Sequence, residues 1–403
     1  MKPLAEARDE VLAAVHPLPV VEVLLEDARG LALAEDVVAT EDVPPFDNSA
    51  MDGFAVQRAD LNSVPVVLPI LEDVPAGSVP SQPLTSGSVI KIMTGAPLPE
   101  GADTVVKVED TSPVGTTEVQ ISAAPDLGTA VRRAGGDVKR GTTVFTAGTR
   151  LSSTHLSVLA SLGVAKPLVR RRPVVAYMTT GDELVPASTA TLRPGQIRDA
   201  NTHTVGAILD ELGVEGINIG AIGDDADELR EALSSAADQA DIIITTGGVS
   251  MGEYDLVKQV LTELGGVEFW KVAMQPGKPF AFGRIAGTPL FGLPGNPVSV
   301  MVAFEQFARP ALLKMMGSSA LLRPRLRARL EREVSTNPEK IVFLRVALRH
   351  DGDVLTCDLS GGQDSNVLSA LASANGLAVV PFGTGHVAAG EFVDVEILRL
   401  DDQ

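Results

Sequence analysis

One cysteine, Cys357, stands in 403 residues, so no internal disulfide framework holds this chain together. One tryptophan, Trp270, and two tyrosines are too few for a nucleic-acid platform built on base stacking. Basic charge is also short. The 33 lysines and arginines face 52 aspartates and glutamates, a formal net charge of −19, which opposes a general grip on nucleic acid or an anionic membrane. Any anionic ligand must therefore be held locally. The sequence has no apolar run long enough to cross a bilayer and no N-terminal apolar core of a secretory signal, so a cytoplasmic protein is expected. Its histidines, His16, His155, His203, His350 and His386, lack zinc-ligand spacing. Walker-type and GxGxxG runs are missing as well, which removes support for a P-loop or a dinucleotide fold, and no Ser/His/Asp arrangement suggests an acyl-enzyme.

Hydrophobic residues make up 45% of the chain, enough for large cores in two to four domains at this length. Helical spacing marks residues 3–16, and a second helix is expected over Val21–Ala28, ended by Arg29 and Gly30. The run VPPFDNSAMDGFAV (43–56) is rich in turn formers and offers two carboxylates, an amide and a hydroxyl. It reads equally as a proline-initiated loop and as part of a site. Short β-rich pieces over 64–138 indicate a small β domain, with a Thr94-Gly95-Ala96-Pro97 turn and, at its end, Arg132, Arg133 and Asp137. An arginine pair of this kind is a solvated face unless a phosphate or carboxylate sits opposite. Residues 151–163 read as a capped amphipathic helix.

Strands and helices alternate from 172 to about 315, which predicts a mostly parallel sheet covered by helices on both faces. One helix is expected to start at Asn201 or Thr202, its N-cap. At the centre stands DIIITTGGVSMG (241–252), a short β-branched run that stops at Thr245, Thr246, Gly247 and Gly248. Glycines there free the backbone to bring successive N–H groups against an anion, although an ordinary strand-to-helix turn reads the same way alone. Ligands of open α/β sheets bind at the carboxyl ends of the strands. Those ends deliver Thr180, Gly181, Asp182 and Glu183, then Asp224 and Asp225, then the TTGG turn with Ser250, Glu253 and Asp255. Later turns add Pro276-Gly277-Lys278 and Pro294-Gly295-Asn296-Pro297. Carboxylates, small hydroxyls, a glycine pair and a lysine on one edge suit a phosphate-bearing ligand with Mg²⁺. From 322 onward a basic run and alternating strands indicate a C-terminal β domain, in which Ser365 and Asn366 read as the N-cap of a short helix.

Seven motifs occur in order: NSAMDGFA (48–55), IMTGAP (92–97), TTGDEL (179–184), GQIRDAN (195–201), TTGGVSMGEYD (245–255), PGKPFAFG (276–283) and GLPGNPVS (292–299). Together they resemble the MoeA family of molybdopterin molybdenumtransferases, to which the gephyrin E domain is related. TTGG with GDE is shared with the MogA/MoaB adenylyltransferases, whereas the NSAMDG loop and both β domains belong to the long form. The resemblance implies an elongated multidomain chain with a MogA/MoaB-like α/β domain. Applied to this sequence, it divides into a helical and linker domain (1–45 with 139–170), a small β domain (46–138), the α/β domain (171–318) and a C-terminal β domain (319–403).

It also implies insertion of molybdate into adenylylated molybdopterin, with Mg²⁺-assisted release of AMP and molybdenum cofactor. The active cleft would lie between the α/β domain of one subunit of a homodimer and the β domain of the other. A molybdopterin adenylyltransferase and apo-molybdoenzymes would be partners. By motif, Asp52, Thr94 and Asp137, near the arginine pair, would come from the second subunit, with Arg132 of that pair a substrate contact. Glu183, Asp224 or Asp225, and Asp255 would be the carboxylates of the α/β side, with Glu183 and Asp255 on the metal. Thr180, Gly181, Asp199, Asn201, Thr246, Gly247, Gly248, Ser250, Lys278, Pro294, Asn296 and Ser365 would contact substrate. The chain departs from the family at Gln275, where many relatives carry a lysine, at Gly136 and at Phe54. It departs again in PEKIVFLRV (338–346), where Arg345 is the matching base. Tungstate in place of molybdate, an adenylyltransferase and a gephyrin-like scaffold are the alternatives.

Overall fold

A computed structural model describes residues 1–248, 256–264 and 266–399. Its centre is a six-stranded sheet in the order Glu215–Ile222, Val174–Thr180, Ile242–Thr246, Thr288–Leu293, Pro279–Ile285 and Glu268–Lys271. The first four strands run parallel, and the last two pair antiparallel at the far edge. Strand alternation explains the layering. Ile242 and Ile244 enter one core and Ile243 the other, as do Val175 and Tyr177 against Ala176 and Met178. Val205 and Leu209 of the helix Asn201–Leu212 cover the first face. Leu229 and Leu233 of the helix Ala226–Gln239 cover the second.

The strand after Val174–Thr180 lies on one side of it and the next on the other. Connections therefore diverge there, leaving a crevice at the carboxyl ends of Val174–Thr180 and Ile242–Thr246. The first face of the sheet also buries Leu4, Ala7 and Val11 of the helix Leu4–Ala14, together with Phe343, Leu377 and Val379 from the C-terminal β domain. One core thus joins the chain's beginning, middle and end.

The small β domain is a sheet in the order Thr104–Lys107, Gly53–Val56, Val89–Ile92, Val66–Val74, Glu118–Ile121 and Thr111–Val114. Its two faces are packed by residues of 54–131 alone, so it keeps its own core. The C-terminal strands close on themselves: Ile341–Asp351, Val354–Leu359, Arg325–Leu330, Phe392–Ile397, Gly376–Val380 and back to Ile341–Asp351. Closure leaves no free edge between them. Met274–Gln275, from the α/β region, adds in parallel to Ile341–Asp351.

Three local expectations change. Residues 21–28 are not one helix: Val20–Glu22 is a strand paired with Leu168–Arg170, followed by a 3₁₀ turn at Leu25–Asp27. The β-branched Val20 and Val21 suit the strand, and a distant partner overrides the helical spacing. The helix Asn201–Leu212 is capped from Asp199, whose carboxylate accepts the Thr202 N–H at 3.1 Å, and not by Asn201 or Thr202. Neither Ser365 nor Asn366 caps the helix Leu368–Ala372, because Ser365 is engaged across the domain junction.

Candidate active site

The crevice is a cavity of about 680 Å³. The strand ends supply Thr180, Thr246, Gly247, Gly248, Pro294 and Asn296 to its wall, and the adjoining segments supply Glu183, Asn201 and Lys278. Backbone geometry explains the TTGG turn. Gly247 has φ +90°, and a Cβ there would meet the Thr180 carbonyl oxygen at 2.7 Å and its Oγ1 at 2.9 Å. Glycine alone lets the turn close against the neighbouring strand end. Gly181, at φ +141°, serves Glu183 in the same way, since a Cβ would come within 2.4 Å of Glu183 Oε2.

Two polar atoms on this cavity have no partner among the described residues. Asn201 donates through Nδ2 to the Gly295 carbonyl at 2.8 Å, yet its Oδ1 is unpaired, as is Thr246 Oγ1. Buried polar groups in this state are expected to find a ligand or water. Asp199 differs. It accepts from Thr179 Oγ1 at 3.0 Å and Thr202 Oγ1 at 2.5 Å, so the structure gives it to the helix cap and off the wall.

The carboxylates separate into two kinds. The Asp224 N–H donates to Asp182 Oδ1 at 2.9 Å. Burial, then the nearby charges of Asp182 and Glu183, push the Asp224 carboxyl above its ordinary range. Asp225, by contrast, caps the helix Ala226–Gln239, accepting from the N–H groups of Asp227 at 2.9 Å and Glu228 at 3.0 Å. Those bonds hold it below the ordinary carboxylate range. Ser250, Glu253 and Asp255 lie outside the described residues. Among the described residues, no three His, Cys, Asp or Glu side chains are grouped to hold a metal ion.

The far wall comes from the C-terminal domain, with Ser365, Gln363, Asp364 and Lys340. Ser365 Oγ accepts from Asn296 Nδ2 at 2.8 Å, bridging the two domains. Arg345 sets this loop from beneath. Fully buried, it donates through Nη2 to the carbonyls of Gly362 at 2.8 Å and Asp364 at 3.1 Å. Burial lowers its pKa, partly opposed by Asp364. Lys340, Gln363 and Asp364 are absent from the residues singled out by sequence. Lys340 stands in the same PEKIVFLRV run as Arg345, but only strand pairing shows that the run reaches the cavity.

Asp52, Thr94, Arg132 and Asp137 do not line this cavity. Asp52, Thr94 and Arg132 belong to the small β domain and Asp137 to the segment that leaves it. Asp52 Oδ1 accepts from the Thr94 N–H and Oγ1, each at 2.7 Å. These bonds, the backbone one first, hold the exposed Asp52 carboxyl below its ordinary range. Val131–Arg132 pairs with Asn48–Ser49, and Arg133 binds Asp47 at 2.5 Å. Asp137 is exposed, with its N–H on the Val43 carbonyl at 3.0 Å.

Three family descriptions match the chain in succession. They are the MoeA N-terminal region (domain I and II) over residues 2–163, a "Probable molybdopterin binding domain" over 176–314, and the MoeA C-terminal region (domain IV) over 327–398. Molybdopterin molybdenumtransferase 2 of Mycobacterium tuberculosis is 41% identical over 397 residues, spanning 96% of each chain. This chain belongs to the MoeA family. A second MoeA relative, the molybdopterin molybdenumtransferase of Haemophilus influenzae, is 37% identical over 403 residues, spanning 98% of each chain. The molybdopterin biosynthesis moeA protein of Pyrococcus horikoshii OT3 has a like fold, with a TM-score of 0.84 at 28% identity, covering 98% of this chain and 100% of that one. The resemblance carried by the seven motifs is thus a full-length MoeA relationship. Among the described residues no helix is long and apolar enough to cross a membrane.

Proposed function

We propose that this MoeA chain inserts molybdenum into molybdopterin, taking molybdate and adenylylated molybdopterin and releasing AMP with molybdenum cofactor. One observation carries the reading: turns at 180–183, 246–248, 276–278 and 294–296, and a loop of the C-terminal domain at 363–365, close on a single cavity. The N–H groups of the Gly247-Gly248 turn suit phosphate oxygens, and Lys278 supplies fixed positive charge for an oxyanion. Asn201 and Thr246, each with an unpaired oxygen, suit donors on a polar ligand.

Glu183, on the cavity wall, together with Asp255 as the motifs imply, would suit Mg²⁺, which takes one or two carboxylates and completes its shell with phosphate oxygens and water. Asp224, whose carboxyl burial and then Asp182 and Glu183 push above its ordinary range, would ionise more readily with a cation nearby. Bound there, Mg²⁺ would neutralise charge on the pyrophosphate link as AMP departs. The protein's own part is to hold the pterin phosphate and the oxyanion in register.

Asp52, Thr94, Arg132 and Asp137 stand outside the cavity of their own chain. That these motif residues, with Asp52 bonded to Thr94, are exposed and apart from their own chain's cavity lining supports a homodimer in which a second copy closes the cleft. The same reading places the protein in the cytoplasm. Purified protein given adenylylated molybdopterin and Mg²⁺ should release AMP once molybdate is added and not before. AMP release that ignores molybdate, or none at all, would overturn it. EDTA should stop release while leaving the melting temperature almost unchanged.

A further inference from the structure

The helix Pro297–Ala303 starts next to Asn296, on the cavity wall, and runs directly into a wider π turn, Phe304–Ala308. Turns of this kind are rare within helices and occur frequently at functional sites. All five of its residues are buried, Glu305 and Gln306 among them. Gln306 donates through Nε2 to Glu396 Oε2 at 2.7 Å, on the barrel strand Phe392–Ile397, and accepts through Oε1 from Arg8 of the helix Leu4–Ala14. Glu396 in turn accepts from Arg325 Nη2 at 2.7 Å. The chain of bonds therefore runs Arg8, Gln306, Glu396, Arg325. An amide suits the second place because it accepts from a guanidinium and donates to a carboxylate at once, which neither a carboxylate nor an ammonium can do. Gln306 is 2% and Glu396 4% exposed, so a mismatch here would leave a polar group unpaired away from water.

One helical run thus meets the C-terminal domain at two places. At the cavity Asn296 donates to Ser365, and at the π turn Gln306 donates to Glu396. Between these ties the junction is not filled. Met301 of the first helix lines a hollow of about 300 Å³ together with Leu368 and Leu371 of the helix Leu368–Ala372. Phe343, Leu377 and Val379 join the shared core, but apolar burial is non-directional. Hydrogen bonds between buried groups define one relative position, because sliding the two domains breaks them.

We infer that Gln306, through Glu396, is a positioning residue for the candidate active site: the pair fixes the register of the C-terminal domain on the α/β domain and so holds Ser365 and its loop against the cavity. Gln306 does not itself line that cavity. This role rests on the insertase reading for what the cavity does, and on the bonds alone for where its far wall stands.

Amide hydrogen exchange on the full-length protein without substrate, beside AMP release, separates the two. Gln306→Glu sets two carboxylates side by side in the junction. Exchange over residues 360–372 should quicken about ten-fold and AMP release should fall about ten-fold, as expected from losing one buried hydrogen bond to a charged group. Exchange in Val174–Thr180 and Ile242–Thr246 should stay as in the wild type. Glu396→Gln, which leaves an amide pair, should move both readings in the same direction by less. Gln306→Glu combined with Glu396→Gln exchanges the two groups, restores an acceptor for each arginine and a donor between them, and should return both readings to wild type. Unchanged exchange over 360–372 in Gln306→Glu overturns the inference, as does exchange that quickens equally in the sheet. A double variant as impaired as Gln306→Glu, or unable to fold, also overturns it. A wild-type protein that releases no AMP removes the insertase reading, while exchange over 360–372 still decides the role of the pair.

Discussion

Asp224 and Asp52 show how similar side chains acquire opposite titration. Burial and then the charges of Asp182 and Glu183 raise the Asp224 pKa, whereas the Thr94 bonds lower that of Asp52. A carboxyl with a raised folded pKa costs the fold stability as pH rises from the unfolded value through the folded one. Ionised Asp224 is therefore unfavourable at neutral pH without a cation. Asp224→Asn should melt at or slightly above the wild-type temperature at pH 7 while turnover falls about 100-fold; a lower melting temperature would assign Asp224 to structure. For Asp52 the sign is reversed. Its contribution is present above the ordinary aspartate range and is lost only as pH falls through its lowered value, so neutral-range pH profiles should not report it. Cys357 is fully buried, and burial pushes its thiol up to about 12. A thiol-disulfide reagent at pH 8 should leave the native protein unlabelled and modify this single cysteine only after denaturation; labelling of native protein would contradict the burial.

At the scale of the element, the decisive piece is the turn that ends the strand Ile242–Thr246. Gly247 occupies left-handed φ, and added side-chain volume would strike the backbone of Thr180. Gly247→Ala should cost about 1 to 3 kcal/mol of stability and abolish AMP release, measured by denaturant unfolding beside the activity assay. Unchanged stability would mean that the turn relaxes freely and does not close on Thr180. The loop at 360–365 is a second such element. Its geometry depends on the buried Arg345, whose guanidinium donates to the Gly362 and Asp364 carbonyls while its backbone pairs with the Gln363 and Ser360 side chains. Through those bonds Arg345 holds the loop that carries Ser365.

For the whole molecule, the α/β region and the C-terminal barrel form one unit through a shared core and the Met274–Gln275 strand, while the small β domain packs on itself. In the proposed homodimer, residues on the small domain and residues of the cavity would complement each other between chains. Asp52→Ala and Glu183→Ala should each be nearly inactive with little change in melting temperature. Mixing the two after subunit exchange should restore about a quarter of wild-type activity, since a hybrid dimer keeps one intact cleft of two. Restoration in an exchanged mixture supports a cleft built across the dimer. No recovery when exchange has been demonstrated would place both residues in one chain's site.

Composition, strand–helix alternation and the separated glycine turns were enough to determine the α/β core, the two β domains and the edge on which Thr180, Thr246, Gly247, Gly248 and Lys278 would stand. Those signals are local: periodicity of 2 or 3.6 residues and glycine at a strand end are written in a few adjacent positions. Only the tertiary structure decided that Val20–Glu22 is a strand, that Asp225 and Asp199 cap helices, and that Ser365 binds Asn296 in place of capping its own helix. It also decided that Lys340 reaches the cavity. Each of these depends on a partner far away in the chain, from 65 residues between Met274–Gln275 and the barrel strand to nearly 150 between Val20–Glu22 and Leu168–Arg170, or on a choice between neighbouring carboxylates made by packing. Pairings at such range are selected by the burial they permit, which no short stretch of residues can specify alone.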